Sequence, residues 1–473
     1  MALFNMTELP WELQLAIMEF LPRADLLHAA RVSKRFCTTV QNVLYADITL
    51  EWSHERKPQL SRLLATLFAK PKLASCIKRL HLKGDNLDRD RYVAWRPQMP
   101  CLSVSDFPLK RARAFVDSIG LTKESQESWK AKLQQGNVHA LTTLLICLAP
   151  NLSSLYLDRL FTVETDVLGH VLRQSLLPGH LGARKETSTL CVFRALRELV
   201  MLDRYDETRR TSLNNAADVL PLFYLPTIES IVLSIDNPVE FAWPAESPPK
   251  LAKLSSLDLR RIREQRLAPI LAAASGLTTF AWLCCHVNGL DRNVSTKTID
   301  LDAIISALAP LRNTVENLTI EAHSKPGRGD IEPPALHIAG SLAGLEHFHC
   351  VRRLSIPWPF VMGFSPSQNM ALLTHMPHNL QELTLLDQLY RKGRWNWDAD
   401  GREGDYESDD NEDPCARTAV IVDAVEGLDR AAFPSLATIM LDWLPEDDEQ
   451  DQDQLRRLNR ACRRLQIQVS WDQ

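Results

Sequence analysis

Two short groups of residues in this 473-residue chain have the types of side chain that perform catalysis or bind metals. His347 and His349, followed by Cys350, would place two imidazoles on one face of a strand, which is part of a metal site but lacks further ligands. Residues 363–367 (GFSPS) hold a serine near a glycine, yet the second glycine is missing and a proline follows Ser365. That segment is therefore not the nucleophile elbow of a hydrolase.

The remaining candidates for chemistry are weaker. Cys284 and Cys285 are adjacent in an apolar segment, so one of the two thiols is expected in the core. Asp398 and Asp400 lie in an acidic stretch whose carboxylates are expected to be solvated. The sequence has no glycine-rich phosphate loop and no H-E-x-x-H pair. We therefore expect no catalytic residue, no cofactor and no metal ion, and predict that the protein is not an enzyme.

The composition is that of a globular protein whose partners are neither nucleic acids nor membranes. Hydrophobic residues make up 45% of the chain, charged residues 24%, and the net charge is −5. No uninterrupted apolar stretch reaches the roughly 18 residues that a membrane span needs. The first residues lack a basic region, and the ten cysteines are scattered without any C-x-x-C pair. These features predict an intracellular protein, cytoplasmic and/or nuclear, with reduced thiols.

An apolar-x-x-apolar-x-apolar pattern recurs after residue 50. Its last two apolar positions would share one face of a strand, and the first would anchor the preceding turn. The matches are Ile77-Leu80-Leu82, Leu152-Leu155-Leu157, Leu196-Leu199-Met201, Ile228-Ile231-Leu233, Leu254-Leu257-Leu259, Leu277-Phe280-Trp282, Val315-Leu318-Ile320, Val351-Leu354-Ile356, Leu380-Leu383-Leu385, Leu436-Ile439-Leu441 and Cys462-Leu465-Ile467. Helical patterns lie between them, for example over 166–177, 266–274 and 302–311.

This alternation resembles the leucine-rich-repeat family over residues 77–471. The resemblance implies an α/β solenoid, a horseshoe of parallel strands with outer helices. Unit lengths are irregular, and the Asn or Cys that normally follows the strand is absent after Leu157 and Leu259. We therefore expect a degenerate, irregular array. A generic α/β domain with leucine-rich strands is the alternative.

Three divisions of the chain follow from these patterns. Residues 1–50 form a helical module, residues 51–140 a connector with the first repeat strand and a helical insertion, and residues 141–473 the solenoid. Residues 392–414 are acidic and poor in aliphatic side chains, so they are expected to be a solvated loop or disordered. A second acidic patch over 446–453 suits the start of the last helix.

The N-terminal module reads as a short helical hairpin followed by a third helix. Pro10 fits the first turn of one helix, Pro22 ends it, and Asp25 starts the next. Leu26, Ala29, Ala30 and Val32 are predicted to form the inner face of that second helix. So many apolar positions in about 40 residues exceed what such a small unit hides by itself, so the surplus needs a partner.

The pattern Leu9-Pro10-x-Glu12, Ile17, Leu21-Pro22, Asp25-Leu26 and 32–36 (VSKRF) resembles an F-box. The resemblance implies docking onto the small adaptor subunit, and thereby the cullin, of an SCF-type ubiquitin ligase. It implies adaptor contacts at Leu9, Pro10, Leu13, Ile17 and Leu21. Val32 and Phe36 are instead expected to hold the module together. A plain helical cap on the solenoid is the alternative.

A target would bind to strand residues that alternate with the buried pairs. The candidates, which carry mixed charges, are Arg79, His81, Lys83, Tyr156, Asp158, Glu198, Asp258, Arg260, Thr319, Glu321, Glu382 and Asp442. A surface of mixed sign suits a protein partner better than a nucleic-acid backbone. The resemblance therefore implies a substrate-recognition subunit of a cullin-RING ligase. The alternative is a repeat-based scaffold or inhibitor that acts outside ubiquitination.

Overall fold

The computed structural model describes residues 9–53, 58–86, 101–105, 107–162, 164–177, 193–202, 215–287, 296–325, 336–362, 375–389, 415–442 and 449–471. Three helices come first, and parallel strands that alternate with helices follow. The predicted fold class, a small helical module followed by an irregular leucine-rich-repeat-like array, is confirmed. No helix in these ranges is both long enough and apolar enough to cross a membrane.

The helices vary from about one turn to nearly five turns in length. They are α1 Trp11–Glu19, α2 Arg23–Val32, α3 Lys34–Leu44, α4 Leu60–Ala69, α5 Pro71–Ala74, α6 Leu109–Ser118, α7 Lys123–Gln134, α8 Val138–Leu148, α9 Arg159–Thr162, α10 Asp166–Leu176, α11 Ala216–Val219, α12 Leu267–Ala273, α13 Leu301–Leu308, α14 Trp358–Met362, α15 Cys415–Glu426 and α16 Glu449–Leu465. Short 3₁₀ turns cover Leu220–Tyr224, Glu264–Arg266, Ala309–Leu311 and Ala343–His347.

The strands are short, as expected for a repeat that turns after each one. They are β1 Asp47–Ser53, β2 Arg79–Asn86, β3 Ser154–Leu157, β4 Glu198–Met201, β5 Ser230–Ser234, β6 Ser256–Arg260, β7 Thr279–Val287, β8 Thr298–Asp300, β9 Asn317–Lys325, β10 His337–Ala339, β11 Arg353–Pro357, β12 Glu382–Leu386, β13 Thr438–Leu441 and β14 Gln468–Trp471.

The chain forms two compact units, one built on β1–β5 and the other on β6–β14. In the first unit the strands pair in sequence order, each parallel to the next. In the second unit the order is β6-β7-β9-β11-β12-β13-β14, again with parallel pairing, while β8 and β10 form a separate parallel pair. Strands that stay parallel and nearly sequential require a crossover between neighbours, which is the role of the intervening helices.

The repeated apolar positions form continuous buried rows. In the first unit Leu80, Leu155, Leu199 and Ile231 stand side by side in register. The corresponding row of the second unit is Leu257, Phe280, Leu318, Leu354, Leu383 and Ile439. Every side chain in both rows is at most 2% exposed. Each repeat therefore buries its apolar face against its neighbours, as a solenoid requires.

Two details of the predicted repeat pattern are wrong. The last match, Cys462-Leu465-Ile467, is not a strand, because α16 continues through Leu465 and ends in a Schellman turn. Gln466 takes the left-handed conformation there (φ 55°), and the amide of Ile467 donates to the carbonyl of Cys462 over 2.9 Å. The strand begins afterwards, and Val469 pairs with Ile439.

The second correction concerns the start of the array. β1 precedes the first predicted strand, pairs with β2 and crosses the predicted boundary at residue 50. Helices α6 and α7 lie in the segment predicted as a helical insertion, and the acidic patch at 446–453 overlaps the start of α16. The acidic segment 392–414 lies outside the described residues.

Candidate functional site

The N-terminal module, α1–α3, is held together by a small core. Met18, Leu26, Phe36 and Val40 are each at most 7% exposed and pack against one another. The carbonyl of Pro10 accepts hydrogen bonds from the amides of Leu13 and Gln14, which starts α1 directly after the proline. The Ser33 hydroxyl caps α3 by accepting from the amide of Phe36 over 3.1 Å.

Helix α1 has an inverted polarity. Its buried side chains are Gln14 and Met18, and the Gln14 amide donates to the carbonyl of Leu9 over 2.8 Å. Leu13, Ile17 and Phe20 point outward instead, with 52%, 40% and 90% of their surface exposed. Because residues spaced by four and three lie on one helical face, these three side chains form a continuous apolar stripe in contact with solvent.

Exposed apolar surface concentrates in this module. The described residues contain seven large apolar side chains that are strongly exposed, and six of them lie in α1, in α2 or directly after the end of α1. They are Trp11, Leu13, Ile17, Phe20, Leu27 and Val32. An apolar patch of this density on one small module marks an interaction surface.

The residues predicted to contact the adaptor differ in their solvent exposure. Pro10 is exposed, like Leu13 and Ile17, whereas Leu9 and Leu21 are half-buried. Leu21 packs against the small core.

Of the two residues expected to hold the module together, one does so and one does not. Phe36 is buried, so that prediction is confirmed. Val32 is 70% exposed, so the prediction for it is wrong. It lies about 120° around α2 from Leu26, whose side chain faces the core.

The side of each sheet that alternates with the buried rows is half-exposed, and we call it the open face. In the first unit its centre is a row formed by His81, Tyr156, Val200 and Val232 in register. The rings of His81 and Tyr156 stack with centroids 5.8 Å apart, and the Lys83 ammonium lies 5.9 Å from the Tyr156 ring centre.

Charges flank this aromatic and aliphatic row. Arg79 forms an ion pair with Asp47 across the β1–β2 pair, with 2.9 Å between Nη2 and Oδ2. Glu198 stands exposed further along the same flank. A peptide lying on this face would meet both an apolar surface and single charges of either sign.

Asp158 does not belong to the open face. The sequence predicts it as a target-binding residue, but it is only 2% exposed. Its carboxylate accepts hydrogen bonds from the amides of Gly84 and Leu160, which fixes the turn after β3. The carboxylate is therefore structural, and the prediction that it meets a target is wrong.

The open face of the second unit is more polar. Arg260 forms a two-point ion pair with Asp258 on its own strand, with 2.8 Å between Nη2 and Oδ2. In register, Arg260 is followed by Leu283 and then Glu321. His323, whose Nε2 lies 3.6 Å from Oε2 of Glu321, lowers the pKa of that carboxyl, and Gln388 and the Arg260 charge act in the same direction. The structure thus brings three predicted residues, Asp258, Arg260 and Glu321, into one cluster.

Short side chains run across the middle of this face. Ala281, Thr319, Ser355 and Thr384 stand in one row over four neighbouring strands. Glu382 lies beside them, in the lining of a cleft of about 300 Å³ together with Arg353. Since strands are spaced about 4.8 Å apart, the row spans about 14 Å.

The remaining target-binding candidate of the second unit is Asp442. It directly follows β13, is half-buried, and its amide donates to the carbonyl of Leu385 over 3.1 Å.

The sequence candidates for chemistry do not assemble into a catalytic or metal site. His347 lies in a 3₁₀ turn and His349 precedes β11, so the prediction that both stand on one strand is wrong. Among the described residues, no group of three or more His, Cys, Asp and Glu side chains is placed to hold a metal ion. Cys284 is buried and Cys285 half-buried, as the alternation predicts. Residues 363–367, Asp398 and Asp400 lie outside the described residues.

A buried polar cluster in the second unit had no signal in the sequence analysis. Arg263 and Glu264, each 1% exposed, form a two-point ion pair at 2.8 and 2.9 Å. Arg263 also reaches His286, itself 1% exposed, whose other ring nitrogen lies 3.8 Å from the sulfur of Cys284. Burial raises the pKa of the Cys284 thiol to about 12. This cluster is enclosed and serves the packing of the unit.

The fold and the exposed hairpin define a class of protein: a small helical head with an apolar docking face, joined to a leucine-rich-repeat-like body. Residues 6–51 match the F-box-like family model, so the head of this chain is F-box-like. No curated protein matches the chain. Among solved structures, the chain is similar to the leucine-rich repeat-containing protein LegL7 from Legionella pneumophila, with 13% identity, 65% of this chain and 90% of that chain covered, and a TM-score of 0.28.

Proposed function

We propose that this protein is a substrate-recognition subunit of an SCF-type cullin-RING ubiquitin ligase. In this role the F-box-like head binds the small adaptor subunit, which links it to the cullin, and the open sheet faces bind a protein target. The chain contributes positioning, and the ubiquitin-transfer chemistry belongs to other subunits.

The observation that carries the proposal is the inverted polarity of α1. A helix that turns Gln14 inward and leaves Leu13, Ile17 and Phe20 in water loses hydrophobic stabilisation in the isolated chain. Fully burying one such side chain contributes roughly 1.5–3 kcal/mol. A partner groove that covers this stripe therefore recovers the energy, which is the helix-in-groove mode of recognition.

The docking surface extends beyond the contacts that the family resemblance implies. Trp11 and Phe20 are 58% and 90% exposed and lie beside the predicted anchors, Trp11 at the start of α1 and Phe20 directly after its end. Aromatic side chains are frequent hot spots at protein interfaces because they bury a large area with little loss of conformational entropy. We therefore include both residues in the proposed adaptor contact.

Binding of the purified adaptor to the full-length protein tests the proposal. Replacing Leu13 and Ile17 by Asp places two carboxylates inside the proposed interface while the core residues Met18 and Phe36 stay unchanged. We expect at least a hundredfold loss of affinity, roughly 3 kcal/mol, by isothermal titration calorimetry.

The matched control is Val239→Asp. Val239 is the seventh strongly exposed apolar side chain, 60% exposed, and lies outside the head. Its replacement should leave adaptor binding unchanged. Wild-type protein that fails to bind the adaptor, or a double variant that binds as well as wild type, would overturn the proposed docking.

Target recognition needs its own experiment. The double variant Leu13→Asp, Ile17→Asp should still bind its target proteins but should no longer bring them to the ligase. Those target proteins should therefore accumulate in cells that express the variant. Tyr156→Ala and Glu321→Gln remove one feature from the open face of each unit and should release the same proteins from the complex. Protein levels that respond to none of these changes would favour a scaffold that acts outside ubiquitination.

A further inference from the structure

Helix α16 carries an arginine stripe on its solvent side. Its C-terminal half, residues 455–465 (LRRLNRACRRL), contains five arginines and no lysine. The core side of the helix is formed by Leu458, Ala461, Cys462 and Leu465, all buried. At 100° per residue, Arg456, Arg460 and Arg463 fall directly opposite that side. All three are exposed, and we call them the arginine stripe.

The other two arginines of the helix have structural partners. Arg457 forms ion pairs with Asp423 and Glu426 of α15, both at 2.7 Å. Arg464 donates to the main-chain carbonyl of Glu426 over 2.5 Å. These contacts attach α16 to α15 on one flank, so the orientation of the stripe is fixed by packing.

The stripe itself has no such role. Within the part of the chain that the structure describes, none of the three guanidinium groups of the stripe forms a hydrogen bond or an ion pair. Three like charges at i, i+4 and i+7 repel one another and weaken an isolated helix. An anionic partner would place its charges beside these guanidinium groups and reduce their mutual repulsion.

We propose that the arginine stripe binds an acidic segment of a partner protein, independently of the adaptor contact. The exclusive use of arginine favours planar oxyanions, because a guanidinium forms two parallel hydrogen bonds with a carboxylate, which an ammonium does not. The stripe is about 10 Å long, which matches carboxylates at the same i, i+4 and i+7 spacing on a facing helix.

Size and charge argue against a nucleic acid. Three arginines would neutralise only about three phosphates, whereas affinity for nucleic acid rests on many such contacts. The whole chain has a net charge of −5, and the acidic Asp423 and Glu426 lie along one flank of the stripe. A long polyanion would meet repulsion beyond the stripe, while a short acidic segment would not.

The probe is a fluorescent synthetic helical peptide with glutamates at i, i+4 and i+7. Its affinity for the full-length protein is measured by fluorescence anisotropy at low salt. Replacing Arg456, Arg460 and Arg463 together by Glu should weaken peptide binding by about tenfold or more. The triple lysine variant keeps the charge but loses the two-point geometry, and it should weaken binding about threefold. All three positions are exposed, so both variants should remain folded, which a cooperative thermal unfolding transition verifies.

The matched control places the same charge change on the first unit. Lys70 between α4 and α5, Lys72 in α5 and Lys110 in α6 are exposed, and replacing them by Glu should leave peptide binding unchanged. Equal loss in the control, or no loss in the arginine variants, would overturn the proposal. Tighter binding of oligothymidylate than of the peptide, lost in the same arginine variants, would overturn it in favour of a nucleic-acid partner. The Leu13→Asp, Ile17→Asp protein should bind the peptide normally, which separates this inference from the adaptor contact.

Discussion

The guanidinium of Arg263 lies 3.1 Å from Nδ1 of His286, and both side chains are 1% exposed. An arginine side chain has no acceptor, so Nδ1 must accept and the histidine must be neutral, with its proton on Nε2. Burial, together with the Arg263 charge, lowers the pKa of His286 to about 3. This contact therefore makes the second unit sensitive to acid.

The first prediction concerns stability below neutral pH. An unfolded histidine takes up a proton near pH 6.5, whereas His286 in the folded protein stays neutral down to about pH 3. The free energy of unfolding should therefore fall as the pH drops from 6.5 towards 3, by about 2 kcal/mol at pH 5 from this residue alone. Urea unfolding at pH 7 and pH 5, followed by tryptophan fluorescence, measures the fall.

His286→Asn provides the control, because its amide oxygen takes the place of Nδ1 as an acceptor and does not titrate. The variant should lose about 2 kcal/mol less than wild type between pH 7 and pH 5. An identical pH dependence in the two proteins would show that His286 does not remain neutral in the folded state.

The second prediction compares a buried ion pair with an exposed one. Glu264→Gln leaves the Arg263 cation buried without its counter-charge, and we expect a loss of about 3–5 kcal/mol in the free energy of unfolding. Asp47→Asn breaks the pair with Arg79, whose side chains are 42% and 58% exposed, and should cost less than about 1 kcal/mol. Similar losses in the two variants would contradict the assignment of Glu264 as a buried counter-charge.

The buried rows could be predicted from sequence because the same apolar-x-x-apolar-x-apolar pattern recurs in every repeat. Leu80 and Leu257 each lie in a segment where apolar and polar residues alternate, and this alternation is typical of a strand with one buried face. β1 has the same pattern, as Tyr45-x-x-Ile48-x-Leu50. Tyr45 also fits the helical pattern of α3. Because the two patterns overlap, the sequence analysis did not predict this strand.

The interaction surfaces were only partly predictable, for a different reason. An apolar side chain is expected to be buried, but the sequence does not show whether its own chain or a partner protein covers it. The prediction that Val32 lies in the core of the module is wrong for this reason, because Val32 is exposed. Polar type is equally ambiguous: Asp158 and Glu264 look like surface residues in sequence, yet both are buried. Their partners, such as Gly84 for Asp158, lie far away in the chain and are brought close only by the fold.

The third prediction tests the register of the buried rows. Leu318 is 1% exposed in the middle of the second unit, and Leu318→Ala should lower the free energy of unfolding by about 2–5 kcal/mol. Thr319, the next residue, stands on the open face, and Thr319→Ala should cost less than about 1 kcal/mol. Urea unfolding of both variants distinguishes the two sides of β9, and a larger effect at Thr319 would mean that the strand is turned over.

The last prediction separates structure from binding at Asp158. Asp158→Ala leaves the amides of Gly84 and Leu160 without their carboxylate acceptor in a buried turn, which should cost about 2–4 kcal/mol in the free energy of unfolding. Asp158→Asn keeps one acceptor oxygen and should cost less. In hydrogen exchange, the Gly84 and Leu160 amides should lose protection in the alanine variant and largely retain it in the asparagine variant. An alanine variant that is as stable as wild type but fails to hold a target would return Asp158 to the interaction surface.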